Sequence, residues 1–245
     1  MGQQGCDTLM DFSIVWQYLP MLLEGAWVTL WITVVSLAIG LAIAIPLALA
    51  RLAKNPLISS PAYLFVLYFR GTPLLVQIFL IYYGSGQFRH ELADIGLWTF
   101  FRDPWFCGIL ALVLNTAAYS AEIFRGAISA VPRNDIEAGR ACGMSGLLLF
   151  RRITMPKAFR IGLPAYGNEV IFLLQATSLV STITILDLTG ISRQLISKTF
   201  AVYEFYLTAA AMYLVMTYAL VYLFRMWEKR MSGHLQERVV TEPRA

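Results

Sequence analysis

Residues 27–50 read WVTLWITVVSLAIGLAIAIPLALA, a run without a single charged side chain. A helix needs about 20 mainly apolar residues to cross about 30 Å of hydrocarbon, so this stretch is long enough to span a bilayer. Glu24 precedes it, and Arg51 and Lys54 follow it. Pro46 lacks the N–H that the helix ladder needs and is expected to bend the end of the span. The acids Asp7 and Asp11 ahead of it, with no Lys or Arg, leave no basic n-region. The block therefore reads as a retained span rather than a cleaved leader.

Working outward, four more apolar blocks cover residues 62–83, 105–128, 163–186 and 205–227. Over the whole chain 58% of residues are hydrophobic and 14% charged, against about 25% charged in an ordinary soluble domain. The expected fold is an all-α membrane protein with five transmembrane helices. A periplasmic segment, 1–26, would precede a transmembrane domain, 27–227, and a cytoplasmic tail, 228–245, would follow it.

The loops orient this frame. Residues 125–160 hold seven basic side chains against Asp135 and Glu137, and the first connector adds Arg51 and Lys54 with no acid. Loop 84–103 carries Arg89 and Arg102 against Glu91, Asp94 and Asp103. Basic loops stay cytoplasmic, so the N-terminus is expected outside and the C-terminus inside. The cluster Arg225, Lys229 and Arg230 agrees with that placement.

Several function classes fall away. The basic residues form no platform with interleaved aromatics, so nucleic-acid binding is not expected. Cys6, Cys107 and Cys142 are scattered, with no metal-ligand spacing, and read as small apolar fillers. The spans hold no histidine; His90 and His234 fall in unrelated polar segments. A membrane enzyme would need a nucleophile with its base, or clustered metal ligands. An ion-coupled secondary transporter would show paired repeats; none is visible, and five spans do not halve.

The polar segment 133–160 is too charged to cross the bilayer. It reads Glu137-Ala138-Gly139, then Gly143, Ile153 and Pro156. A surface helix, a glycine turn and a second helical piece make a knob that fits a groove on a soluble partner. The spacing resembles the Glu-Ala-Ala loop of ATP-binding cassette importer permeases, with Gly139 in place of Ala and Met155 in place of Leu. Further pieces resemble the polar amino-acid subfamily: Arg70-Gly71-Thr72-Pro73 with Gln77; Asn115, Tyr119 and Glu122; Asn168-Glu169; and Thr177-Ser178-Leu179. They are most similar to the M-type subunit of histidine, arginine, lysine and ornithine importers, and octopine and nopaline importers look similar.

The resemblance implies a type I importer permease whose loop 133–160 couples to a separate pair of ATPase subunits. No Gly-x-x-x-x-Gly-Lys-Ser/Thr phosphate loop occurs in the chain, so ATP and magnesium would be bound by those partners and no cofactor by this chain. It also implies a periplasmic substrate-binding protein and a second permease subunit, homologous or identical, in the inner membrane of a bacterium.

Charged side chains within a span are costly and persist where they face a cavity or a partner. Glu169 is the candidate for pairing with a cationic substrate group, with Asn168, Thr72 and Ser178 supplying neutral hydrogen bonds. The competing reading pairs Glu169 with Arg70 to hold helices together. Asn115, Tyr119 and Glu122 share one helical face, and Glu122 is placed to pair with Arg125. Arg70 and Pro73 are expected to serve packing or gating.

Overall fold

A computed structural model describes residues 12–239, with side chains to residue 231. Cys6, Asp7, Asp11 and the side chain of His234 lie outside the described set. Among the described residues every regular element is helical. Three helices are long and apolar enough to cross a membrane, or up to five if each of two bent pairs forms one span.

The first helix, α1, runs Ser13–Leu52. It takes in half of the segment expected to precede the first span, and it passes through both Pro20 and Pro46 without ending. Its 40 residues extend about 60 Å, twice the hydrocarbon thickness. The helix is apolar all round, so polarity does not select its buried face. Size does: Ala26, Thr29, Thr33, Ser36, Gly40, Ala44 and Ala48 recur every three or four residues and are buried. Trp27, Val34, Ile39, Ile45 and Leu49 point outward. Helices in lipid gain little from hiding apolar surface and associate where small residues let backbones approach. Helix α6 (Pro104–Ser129) meets this stripe with buried Ala111, Ala117, Ala118 and Ala121. Asp103 caps α6 by accepting from the Trp105 N–H at 3.0 Å, with Pro104 at the first helical position.

The block 62–83, expected as one span, is broken. Helix α2 (Pro56–Gly71) ends at Thr72, and the stretch Leu74–Asp94, which opens with α3 (Leu74–Tyr82), leaves at 104° to it. Pro73 has no N–H to continue the ladder, and the residue before a proline is pushed out of the helical region; Thr72 sits at φ −116° and ψ 145°. Loop 84–103 contains a 3₁₀ turn and two short helices, α4 (Arg89–Asp94) and α5 (Trp98–Phe101).

The basic segment folds as α7 (Arg133–Ala141), a turn, α8 (Gly146–Leu149) and a π turn, Phe150–Thr154. It enters α9 (Met155–Ala176) directly. The block 163–186 is also interrupted: α9 gives way to a 3₁₀ segment, Thr177–Ile183. A further helix, α10 (Leu188–Thr199), which the sequence reading did not assign, follows at 47°. Asp187 caps α10, accepting from the N–H groups of Gly190 at 2.9 Å and Thr189 at 3.2 Å and from the Tyr213 hydroxyl at 3.1 Å. The last helix, α11 (Val202–Val239), leaves most of its apolar surface uncovered, including Tyr203, Leu214, Val215, Tyr218 and Tyr222.

Candidate functional site

A polar-lined cavity lies where the α2–α3 break faces α6 and α9. Its volume is about 710 Å³. Arg70, Thr72 and Pro73 come from the break, Asn115 and Tyr119 from α6, and Asn168 and Glu169 from α9. The stripe Ala165, Glu169, Phe172 and Ala176 gives α9 its cavity face.

Glu169 is 7% exposed, and its Oε1 accepts a hydrogen bond from the Thr116 hydroxyl at 3.0 Å. The ion pair with Arg70 is not formed, whereas Glu122 and Asp135 do sit in ion pairs. Arg70 instead lies over the Tyr119 ring, 5.1 Å from its centroid, and the Tyr119 hydroxyl donates to the Arg70 carbonyl at 3.5 Å. A carboxylate and a guanidinium therefore line one cavity without forming a contact ion pair. Thr116 was not singled out in the sequence, because a threonine in an apolar run gives no signal until its neighbour across the interface is known.

The break is held by side-chain amides. Pro73 deprives the Phe69 carbonyl, four residues earlier, of its helical donor. Gln77 Nε2 donates to Phe69 O at 2.9 Å, and Asn115 Nδ2 donates to it at 3.2 Å. Gln77 Nε2 also reaches Thr72 O at 3.0 Å and Thr72 Oγ1 at 2.8 Å, while Gln77 Oε1 accepts from Asn115 at 3.0 Å.

One residue expected at this site lies elsewhere. Ser178 falls in the 3₁₀ segment after α9, donates to the Gln175 carbonyl at 2.7 Å and lines a separate crevice of about 500 Å³ with Thr189 and Tyr213. Ser178 lies nine residues beyond Glu169, which is about half a turn round even an unbroken helix, and α9 stops at Ala176 before reaching it. Glu122 sits below the cavity rather than in it. It pairs with Arg125 and with Arg51 of α1, the latter at 3.4 Å, and Arg51 stacks over Tyr63 of α2 at 4.7 Å. The Arg125 pairing follows from i,i+3 spacing; the Arg51 pairing crosses 71 positions and has no local signal.

In the basic segment, Glu137, Ala138 and Pro156 are exposed, Ile153 is half-buried and Gly139 is buried. A Cβ at Gly139 would stand 2.5 Å from Leu149 Cδ1, so glycine there lets α7 seat directly on α8. Gly143 turns the chain between them at φ +77°, a conformation costly for a side chain. Lys157 pairs with Asp135 at 2.5 Å and ties the start of α9 to α7. Cys142, exposed beside this turn, is not a core filler, whereas Cys107 is buried and donates to the Phe101 carbonyl at 3.2 Å.

Residues 36–233 match the model of the family described as "binding-protein-dependent transport system inner membrane component". The chain is 50% identical to the nopaline transport system permease protein NocM of Agrobacterium fabrum, over 96% of this chain and 98% of the relative. It is 43% identical to the histidine/lysine/arginine/ornithine transport system permease protein HisM of Escherichia coli K12, over 86% and 89% of the two chains. Among solved structures it is similar to an amino acid ABC transporter crystallised with histidines, with a TM-score of 0.80 and 34% identity over 91% of this chain and 100% of that one. An inward-facing methionine transporter, MetNI, shares the fold at a TM-score of 0.69 and 19% identity, over 88% of this chain and 98% of that one.

Proposed function

We propose, from the premise that this chain belongs to the binding-protein-dependent transport system inner membrane components, that it is the permease subunit of an ATP-driven importer of basic amino acids. One observation carries the reading: Glu169 faces a membrane-embedded cavity with no basic side chain paired to it. A carboxylate at that depth suits a guanidinium or ammonium group of a substrate. Arg70, on the opposite lining, suits the substrate's carboxylate. Asn168 and Thr72 supply neutral hydrogen bonds between them.

Transport would proceed by alternating access. A periplasmic binding protein delivers the amino acid to the outer face. Two ATPase subunits, which bind ATP and magnesium, close on the cytoplasmic side and push on the 137–156 knob through Glu137, Ala138, Gly139, Gly143, Ile153 and Pro156. The uncovered α11 face is available to a second permease subunit. The N-terminus would be periplasmic and the C-terminus cytoplasmic, as the basic loops require.

The broken helix favours this over ion coupling. In ion-coupled transporters unwound carbonyls coordinate the driving cation. Here the Phe69 and Thr72 carbonyls accept from Gln77 and Asn115.

A second substrate class has specific support. The relative at 50% identity is named for nopaline, and opines join a cationic group to more than one carboxylate, which also suits Glu169 facing Arg70. Competition of labelled arginine uptake by histidine, lysine, octopine and nopaline in proteoliposomes holding the full transporter separates the two. Strong competition by lysine and histidine supports the basic amino-acid reading, and competition by opines alone overturns it.

A further inference from the structure

We propose that Gln77 is a positioning residue for the substrate: its buried amide, donating to the Thr72 hydroxyl oxygen while the Tyr68 carbonyl takes that hydroxyl's proton, holds Thr72 as a hydrogen-bond acceptor facing the cavity. The inference rests on the reading of that cavity as the substrate site. Gln77 is 2% exposed and does not line the cavity, so it acts on a ligand only through its neighbours.

Counting donors and acceptors at Thr72 leads to this. A hydroxyl has one proton and two lone pairs. The Thr72 proton goes to the Tyr68 carbonyl at 2.8 Å. One lone pair takes the Gln77 amide at 2.8 Å. What remains for the cavity is one lone pair, so Thr72 presents an acceptor and no donor. That polarity matches an ammonium or guanidinium N–H of the ligand and disfavours a carboxylate at the same spot. The carboxylate is left to Arg70, one turn-residue pair away on the same break.

The amide is itself fixed. Gln77 Nε2 is shared among Phe69 O, Thr72 O and Thr72 Oγ1, at 2.9, 3.0 and 2.8 Å. Its Oε1 accepts from Asn115 at 3.0 Å, which fixes which end of the amide faces Thr72. Rotating the amide would place an oxygen against two carbonyls. A broken helix at membrane depth must satisfy each freed carbonyl within the protein, so the group that repairs the backbone also holds the Thr72 hydroxyl in place.

The test is equilibrium binding of labelled arginine to the purified, complete transporter in nanodiscs, for Gln77→Met, Thr72→Val and the double variant, with Glu169→Gln alongside. Gln77→Met should weaken arginine binding about tenfold, as loss of a buried hydrogen bond to a charged ligand does. The double variant should bind within about twofold of Thr72→Val alone, because Gln77 acts through Thr72. Thr72→Ser should bind like the unaltered protein. Unchanged binding by Gln77→Met, or losses that multiply in the double variant, overturns the proposal while leaving the cavity reading intact. Unchanged binding by Glu169→Gln overturns the cavity reading itself. Should Gln77→Met not assemble, Gln77→Leu, which also lacks the amide, goes through the same cycle with the same criteria.

Discussion

The Thr116 hydroxyl donates to Glu169 Oε1 across 3.0 Å, and no ion pair joins that carboxylate to any described cation. A lone threonine orients the carboxylate but does not neutralise it. On the reading proposed above, that carboxylate faces the cationic group of the ligand. Glu169→Gln should lower uptake of labelled arginine at least tenfold, since a charge-assisted bond contributes roughly 1.5–3 kcal/mol. Glu169→Asp should retain part of it. Ser178→Ala, outside the cavity, should leave arginine uptake within about twofold, as a surface change away from special features does.

The seat of Thr116 depends on Gly40. A Cβ at position 40 would stand 2.5 Å from Thr116 Cγ2, closer than side chains approach. Gly40→Ala should destabilise the transporter by about 1–3 kcal/mol through overpacking and weaken arginine binding by displacing Thr116. The pair Gly40→Ala with Thr116→Ser removes the obstructing methyl and keeps the hydroxyl, so it should recover both thermal stability and binding. Thermal unfolding and arginine binding of Gly40→Ala, Thr116→Ser, the pair and the unaltered protein measure this.

Glu122 is expected to behave oppositely to Glu169. It joins Arg51 of α1 to Arg125 of α6, with side-chain exposures of 17%, 33% and 20% for Arg51, Arg125 and Glu122. Glu122→Ala leaves the Arg51 charge half-buried and should cost about 1–3 kcal/mol of stability. Arginine affinity, measured on the assembled fraction, should be unchanged, because Glu122 does not line the cavity.

The turn between α7 and α8 gives a separate readout. Gly143 has φ +77°, where a side chain costs roughly 1–2 kcal/mol. Gly143→Ala should distort the knob and uncouple the machine. ATP hydrolysis by the copurified ATPase would lose its stimulation by loaded binding protein, while arginine binding at the cavity persists. Glu137→Lys should act at the same step by reversing the charge on the exposed face.

What the sequence disclosed, and what it hid, follows from the reach of its signals. The 27–50 and 105–128 blocks fell within helices, because an uninterrupted apolar run has little choice in a membrane. Blocks 62–83 and 163–186 were read as continuous although each is interrupted. Pro73 stood in view in the first, but hydropathy averages over a break that costs only a few residues. Helix α10 was hidden by its mixed polarity, with Ser192, Arg193 and Gln194 inside it. The small-residue stripe of α1, from Ala26 to Ala48, was present in the sequence; a search for apolar faces passes over it, because in lipid the buried face is marked by size. Glu169, Asn168 and Thr72 could be singled out as polar groups at span depth. Thr116 could not, nor could the pairings of Gln77 with Asn115 and of Arg51 with Glu122, since the partners lie 53, 38 and 71 positions away.

The most direct test is uptake of labelled arginine into proteoliposomes carrying the purified permease, with its ATPase and binding protein supplied or withheld. Uptake should require ATP, the ATPase and the binding protein together, persist without a sodium or proton gradient, and fall at least tenfold with Glu169→Gln. Arginine accumulation by this chain alone under an ion gradient, or undiminished uptake by Glu169→Gln, contradicts the assignment.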